Sequence, residues 1–269
     1  MTDWKTKSRS FDTVAENYDL YRPGYPASLA ERMLAVSGFP AGGHILEVGS
    51  GTGKATKMFT SSSLPIEISK VSIHCVEPGE NLIRIAQTKF SRYPGISFEQ
   101  ASFEECREQP ARFDLVISAQ AWHWVEPSSG YNKAARFLKE DGWLALFWNV
   151  NPDPQGEIFQ ELERIYQRYY PHSEQPATPY EAVIQERKTA IQESGRFDPV
   201  LIYRFPWSER YTTQQYLGLL NTYSDHLTLP EEQQKPLYKG IAEVIDRYGG
   251  WIEKPYLAVL FMARKRDAI

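Results

Sequence analysis

Short apolar runs alternate along the chain with stretches whose apolar residues recur at helical spacing, and this alternation predicts an α/β fold. Ile45, Leu46 and Val48, with Glu47 set among them, read as a first buried strand. Val71 to Val76, Ile96 to Phe98, Phe113 to Ser118 and Trp143 to Val150 read as four more strands. Val200 to Phe205 and Tyr256 to Arg264 read as the last two. Phe11, Val14, Ala15 and Tyr18 are spaced for one face of a helix, with Asp12 placed to cap it. Further helices are expected over Ala27 to Ser37, Lys54 to Ser61, Asn81 to Ser91, Ser129 to Leu138 and Phe159 to Tyr170. Leu82, Ile85, Ala86 and Phe90 should face inward on the third of these. Beyond them come a helix ending near Ser194, then Tyr211 to Tyr223 and Glu231 to Tyr248. Pro23, Gly24 and Pro26 break the chain early, Lys139 to Gly142 reads as a turn, and the proline-rich PHSEQPATPY reads as a loop.

The most informative junction is HILEVGSGTGK, residues 44–54, where the first strand runs into Gly49, Gly51 and Gly53 and then into an expected helix. Glycine accepts positive φ and lets a ligand approach the backbone, and free N–H groups at a helix start face whatever lies over the loop. That order makes a nucleotide-type site. A dinucleotide fingerprint needs G-x-G-x-x-G, yet position 54 is Lys; a phosphate-binding loop needs Gly-Lys-Ser/Thr, yet Ala55 follows Lys54. Glu77 closes the second strand near the ~20-residue distance at which a nucleotide fold sets a carboxylate on a ribose. Its oxygens can accept both ribose hydroxyls. NAD enzymes share that residue, so it supports a Rossmann-like fold without choosing the cofactor.

Composition narrows the partners. The chain has 269 residues, long enough for one large domain or two small ones, and its 42% apolar content is compatible with a sizeable core. Thirty basic and 34 acidic residues leave a net charge of -4 with no basic block, which argues against nucleic acid as a main partner. Cys75 and Cys106 form neither a disulfide framework nor a zinc spacing, and no metal is expected. The opening MTDWKTKSRSF lacks an apolar signal core and no run has membrane-spanning length, so the expectation is a cytoplasmic protein with no membrane partner. Monomer is the default.

E-x-G-x-G-x-G over Glu47 to Gly53 resembles motif I of the class I S-adenosylmethionine-dependent methyltransferases. The opening F-x-x-x-A-x-x-Y-D-x-x-RP-x-YP, and FDLVISAQAWHW over Phe113 to Trp124, resemble small-molecule members, including those that methylate carboxylates such as trans-aconitate. The resemblance implies a seven-stranded, mostly parallel sheet with helices on both faces and a last strand inserted antiparallel. It implies that the glycine loop packs on the methionine part of the cofactor, with Tyr18 and Arg22 reaching the methionine carboxylate. Glu77 and Pro78 would hold the ribose, Ser102 and the Phe103 amide the adenine, and Ala119 and Gln120 the reacting end. Relatives carry Asp where Ser102 stands. SAQA replaces the N/D-P-P-Y/F of nucleic-acid amino-methyltransferases, and Asn151 to Pro154 reads as a loop.

One domain follows: residues 1–40 as cofactor-covering helices, 41–150 as cofactor-binding core, 151–199 and 207–254 as lid and substrate insertions, and 200–206 and 256–264 as C-terminal strands. The two insertions exceed ordinary connection lengths. Methyl transfer from a sulfonium is an in-line displacement that needs alignment more than chemistry. The acceptor is expected to be a small molecule, a carboxylate ahead of a hydroxyl, amine or carbon. Trp122, His123 and Trp124 are candidate site walls, with His123 the candidate base. Trp148, Tyr166, Trp207 and Tyr223 are candidates for an apolar acceptor pocket facing the sulfonium. His226 is expected on a solvent-facing loop. The alternatives are an NAD-dependent oxidoreductase and a module that binds the donor without turnover.

Overall fold

The computed structural model describes residue 12 and residues 15–266, apart from 62, 63, 65, 153 and 171–178. Seven strands form one sheet in the order β3-β2-β1-β4-β5-β7-β6. The first four, β1 (His44–Val48), β2 (Ser72–Val76), β3 (Ile96–Glu99) and β4 (Phe113–Ala119), pair in parallel. β5 (Leu138–Val150) continues that parallel set, and β7 (Trp251–Lys265) enters antiparallel between β5 and β6 (Phe197–Thr212). The expected architecture is therefore present. Strands β1, β2, β4 and the inner part of β5 are buried on both faces, as continuous apolar runs require.

Helices cover both faces of the sheet. One core layer joins Leu46, Val116, Phe137 and Leu146 to helices α5 (Pro127–Phe137) and α7 (Tyr180–Glu193). The opposite layer joins Ile45, Leu115, Phe147 and Leu260 to α2 (Ala27–Ser37), the one-turn α3 (Thr56–Phe59) and α4 (Glu80–Phe90). A third core, without strand β1 or β4, gathers α6 (Glu157–Tyr169), α8 (Thr213–Leu220) and α10 (Glu231–Arg247) around Leu219, Leu237 and Ile241. The first described helix, α1 (Ala15–Tyr21), touches α8, and the single turn α9 (Ser224–Leu227) follows it.

Several boundaries differ from the sequence reading. The helix after the glycine loop is one turn long rather than spanning residues 54–61, because residues 51–55 turn around the glycines first. Ile83, not Ile85, is the buried isoleucine of α4. Residues 139–142 lie within the span of β5, yet the partner of Phe113 is Leu138 and that of Leu115 is Trp143, so the extra residues bulge where a turn was expected. β6 and β7 run to 16 and 15 residues, well past residues 200–206 and 256–264, because they pair continuously from Val200↔Ala263 to Thr212↔Trp251. Asp12 caps α4 rather than its own helix: its carboxylate accepts the N–H groups of Asn81 at 2.7 Å and Leu82 at 3.1 Å. Phe11, Val14 and most of PHSEQPATPY lie outside the described residues. Cys75 and Cys106 are buried free thiols.

Candidate active site

The strand order reverses between β1 and β4, and open α/β sheets bind ligands at the carboxyl ends of strands beside such a point. A cavity of about 280 Å³ opens there, close to the lower bound of roughly 300 Å³ for small-molecule sites. Val48 and Gly49 end β1 at its floor, Val76 ends β2 with Glu77 and Pro78 after it, and Ala119 and Gln120 end β4. Ser102, Phe103 and Glu104 close one side; Tyr18, Arg22, Pro23 and Tyr25 cover the top.

The glycines serve different ends. A Cβ on Gly49 would stand 2.4 Å from the Ala121 Cβ, and one on Gly53 2.4 Å from the Phe90 ring. Both glycines permit close packing at positive φ. Gly51, at φ 55°, meets only Tyr18 at 3.9 Å, so its open side faces the cavity. Its N–H donates to Glu77 Oε2 at 2.9 Å, and the N–H of Gly79 donates to Oε1 at 2.9 Å. Burial raises the Glu77 pKa against these two bonds.

Glu47 lies beneath this floor rather than in its surface. Thr56 Oγ1 donates to its Oε2 at 2.7 Å, while its buried Oε1 has no partner among the described residues. Burial raises its pKa to about 7, with Glu77 adding to the rise. Lys54 points to the roof, its Nζ donating to the Asp19 carbonyl at 2.6 Å; burial lowers its pKa to about 8. Lys89 bonds Asp19 Oδ1 at 2.6 Å and the Thr52 carbonyl at 2.9 Å, fastening α1 to the glycine loop.

At the far end Gln120 adopts φ 57°, a left-handed conformation rare for residues other than glycine and often found where function holds it. Its Nε2 donates to the Asn149 carbonyl at 3.3 Å. Asn149 Nδ2 donates to the Gly24 carbonyl at 2.9 Å, and Trp207 Nε1 donates to Asn149 Oδ1 at 3.1 Å. His123 and Trp124 line the wall, ring centroids 4.6 Å apart. Trp148 Nε1 donates to His123 Nδ1 at 3.4 Å, which leaves the ring proton on Nε2. Burial and Arg187 lower the His123 pKa to about 4, so the ring is neutral near pH 7.

Of the sequence candidates, Tyr18, Arg22, Gly49, Gly51, Glu77, Pro78, Ser102, Phe103, Ala119, Gln120, His123 and Trp124 share this cavity. Glu47 and Gly53 support its floor from behind. Trp122 is 5% exposed and packs on Phe103 and Tyr131, so it belongs to the core. Trp148 is buried against Phe261 and reaches the wall only through His123. Tyr166 sits in the third core, its hydroxyl 3.3 Å from His226 Nε2. Trp207 and Tyr223 stand one side chain back, on Asn149 and under Arg22. His226 is not on a solvent-facing loop: it is 3% exposed, ringed by Tyr166, Tyr170, Tyr223 and Tyr238.

The sequence reading missed Tyr25, Lys54 and Asn149. Asn149 stands near the carboxyl end of β5, where the strand-end rule points; Tyr25 lies in the RP-x-YP segment itself. Away from the cavity, His74, Glu99 and Cys106 bring ligand atoms within 4.8 Å of one another, a grouping that residue spacing does not announce. No helix among the described residues is long and apolar enough to cross a membrane.

Residues 46–146 match the family model of the methyltransferase domain. The chain is 25% identical over 236 residues to an uncharacterised methyltransferase-like protein of Schizosaccharomyces pombe, covering 88% of this chain and 86% of that one. It is 31% identical over 149 residues to the malonyl-[acyl-carrier protein] O-methyltransferase of Acetivibrio thermocellus, covering 54% and 50%. The fold matches a Haemonchus contortus phosphoethanolamine N-methyltransferase solved with S-adenosylhomocysteine, with TM-score 0.55 and 15% identity over 98% of this chain and 60% of that one. Residues 46–146 therefore carry a methyltransferase domain, and the relatives that match along most of the chain are named methyltransferases. The match is to a methyltransferase domain and not to an NAD-dependent oxidoreductase.

Proposed function

We propose that the enzyme methylates a carboxylate oxygen of a small-molecule acceptor. The observation that carries this reading is the state of His123: the ring at the reacting end is neutral and weakly basic, and its Nδ1 already accepts the Trp148 proton. A carboxylate is ionised near pH 7 and needs no base, whereas a hydroxyl or protonated amine must lose a proton. The relation to an O-methyltransferase of a malonyl group supports the same direction.

The cavity fits the donor. The open side of Gly51 provides a cradle, and Arg22 with Lys54 suits a carboxylate. In this reading Tyr18, Arg22, Glu47, Gly49, Gly51 and Gly53 shape the methionine end. Glu77 and Pro78 hold the ribose, and Ser102 and the Phe103 N–H hold the adenine. When bound, S-adenosylmethionine supplies a methyl group already activated by its sulfonium charge. Gln120 and Asn149 orient the acceptor, His123 offers an Nε2 proton and an apolar wall, and Tyr25 with Trp124 excludes water. In this reading residues 15–40 cover the donor, and the described parts of the stretches between β5 and β6 and between β6 and β7 form the acceptor wall.

Calorimetric titration with S-adenosylmethionine, S-adenosylhomocysteine and NAD, followed by an acceptor screen, tests the reading. The first two should bind in the micromolar range and NAD should not, and methyl esters should form from small acids. Methylation of amines or alcohols, with every acid inert, would overturn the carboxylate assignment and leave the donor site intact.

A further inference from the structure

Away from the cavity, the edge of the sheet at β3 gathers a second group of chemistry-bearing side chains. His74 on β2 is the register partner of Ser97 on β3, so His74, Ser97 and Glu99 lie on one face of the sheet. The chain then leaves β3 and turns, the Cys106 N–H donating to the Ser102 carbonyl at 3.0 Å, and this turn brings the Cys106 thiol back to that face. One ligand atom each of His74, Glu99 and Cys106 lies within 4.8 Å of the other two. His74 Nε2 stands 3.0 Å from Glu99 Oε2 and 3.5 Å from Glu108 Oε1.

These side chains are held from behind. His74 Nδ1 lies 3.0 Å from Ser97 Oγ, which turns Nε2 toward the two carboxylates, and Arg112 bonds the other oxygen of Glu108. Imidazoles and carboxylates that ligate a metal are oriented by such outer bonds. Cys106 is 1% exposed, and the side chains of Glu108 and His74 only 10% and 15%. An ion pair would account for one carboxylate on His74. It does not account for two carboxylates and a thiol around one nitrogen, which carries at most one proton to share. Carboxylates crowded in a place largely out of water raise each other's energy, and a divalent cation among them removes that cost. Nitrogen, oxygen and sulfur together suit zinc, whereas magnesium and calcium take oxygen alone. Zinc bonds of about 2.0–2.3 Å set tetrahedral ligand atoms roughly 3.3–3.8 Å apart, inside the 3.0 to 4.8 Å range of this group.

We propose that His74 Nε2, Glu99, Cys106 Sγ and Glu108 form a zinc site that ties β2 and β3 to the turn after Ser102. Binding makes a bond from sulfur to zinc and sends the thiol proton to solvent. Four protein ligands leave no open position, so the metal serves the structure and takes no part in methyl transfer. Ser102 and Phe103 in that turn close one side of the cavity, and the metal braces that side from outside.

Tag-free protein, stripped with a chelator and dialysed, is titrated with Zn²⁺ by calorimetry and with Co²⁺ by absorption spectroscopy. A single equivalent of Zn²⁺ should bind against an excess of Mg²⁺ and Ca²⁺, and Co²⁺ should show a thiolate-to-metal charge-transfer band. Cys106→Ala should abolish that band. His74→Ala and Glu99→Gln should each weaken Zn²⁺ binding by more than ~100-fold, beyond the loss of an outer partner. The Glu99 side chain is 36% exposed, so Glu99→Gln leaves the core closed, and an unchanged circular dichroism spectrum shows that the variant is folded. Zn²⁺ should raise the thermal midpoint of the wild type and not that of Cys106→Ala. A wild type that takes up no Zn²⁺ saturably overturns the proposal. Cobalt bound without the thiolate band does the same, as does Zn²⁺ affinity that survives Glu99→Gln and His74→Ala.

Discussion

The two halves of the sheet build the cavity by different means. In the parallel half, β1, β2 and β3 are four or five residues long and β4 seven, and the cavity walls are the turns at their ends. The decisive groups there are backbone: the Gly51 and Gly79 N–H groups on Glu77, and three glycines at positive φ. In the antiparallel half, β6 and β7 form a hairpin two to four times longer, and it meets the edge of the cavity through a side chain, Trp207 Nε1 donating to Asn149 Oδ1. Helices α6, α8 and α10 pack over that hairpin with a core of their own. Backbone geometry leaves little freedom to the residues that supply it, whereas a side-chain wall can be rebuilt for each ligand. A donor common to many enzymes suits the first construction and a particular acceptor the second.

The sharpest way to break this comparison is a pair of glycine substitutions in the parallel half. Gly51→Trp places a ring in the cavity where nothing but Tyr18 stands near, so donor binding should fall by more than ~100-fold, the occluded volume adding to a strain of ~1–2 kcal/mol from positive φ. Gly53→Leu meets Phe90 instead and should destabilise the fold by roughly 2–4 kcal/mol, read as a lowered denaturation midpoint. Equal effects of the two on stability, with donor binding intact in Gly51→Trp, would place the ligand elsewhere.

Next in size is Glu77→Gln. The amide keeps one acceptor oxygen where the carboxylate offered two, so either the Gly51 or the Gly79 N–H loses its partner. Donor affinity should fall by roughly 10- to 100-fold, the scale of a hydrogen bond to a charged group, measured by calorimetry. Acceptor affinity, read in the donor-saturated protein, should stay put if the two halves act separately.

What was legible in the sequence follows the same division. Gly49, Gly51, Gly53 and Glu77 are fixed by local backbone demands within a strand-turn-helix, and their spacing survives in one dimension. Helix α2 falls on the residues expected, because Pro26 and Gly38 bound it. Trp148, Tyr166 and Trp122 show why aromatic type alone says little: each is as well suited to a core as to a pocket, and only the register of strands far apart in sequence decides. His226 was misplaced for the same reason, since its tyrosine neighbours come from α6, α10 and the turn before α9. Asn149 reaches Gly24 across 125 positions, a contact no local pattern encodes.

A pH series sharpens the donor side. Glu47, raised to about 7, holds its proton in the empty fold more firmly than in the unfolded chain. Its contribution to the stability of the empty fold is therefore full below the unfolded value of 4.5 and is lost as pH rises through about 7. A cationic donor favours the ionised form, so donor affinity should rise by roughly 10-fold between about pH 6 and pH 8 if ionisation is required. Glu47→Gln should flatten that rise, separating it from any part played by Lys54, whose amine is lowered to about 8. A slope that persists in Glu47→Gln would move the titration to Lys54.

The smallest effect tests the boundary between the halves. Trp207→Phe keeps the ring on Tyr256 but removes the Nε1–H that holds Asn149 Oδ1. Asn149 still reaches Gly24, so the amide should loosen rather than leave, and one neutral hydrogen bond corresponds to ~0.5–1.5 kcal/mol. If Asn149 orients only the acceptor, the acceptor KM should rise by about 3- to 10-fold while donor affinity holds, because the proposed donor contacts are on β1, β2 and the roof. A matching loss of donor affinity would carry the disturbance through Gly24 into the 22–26 segment. The roof, and not the hairpin, would then be the element through which the two halves of the site are coupled.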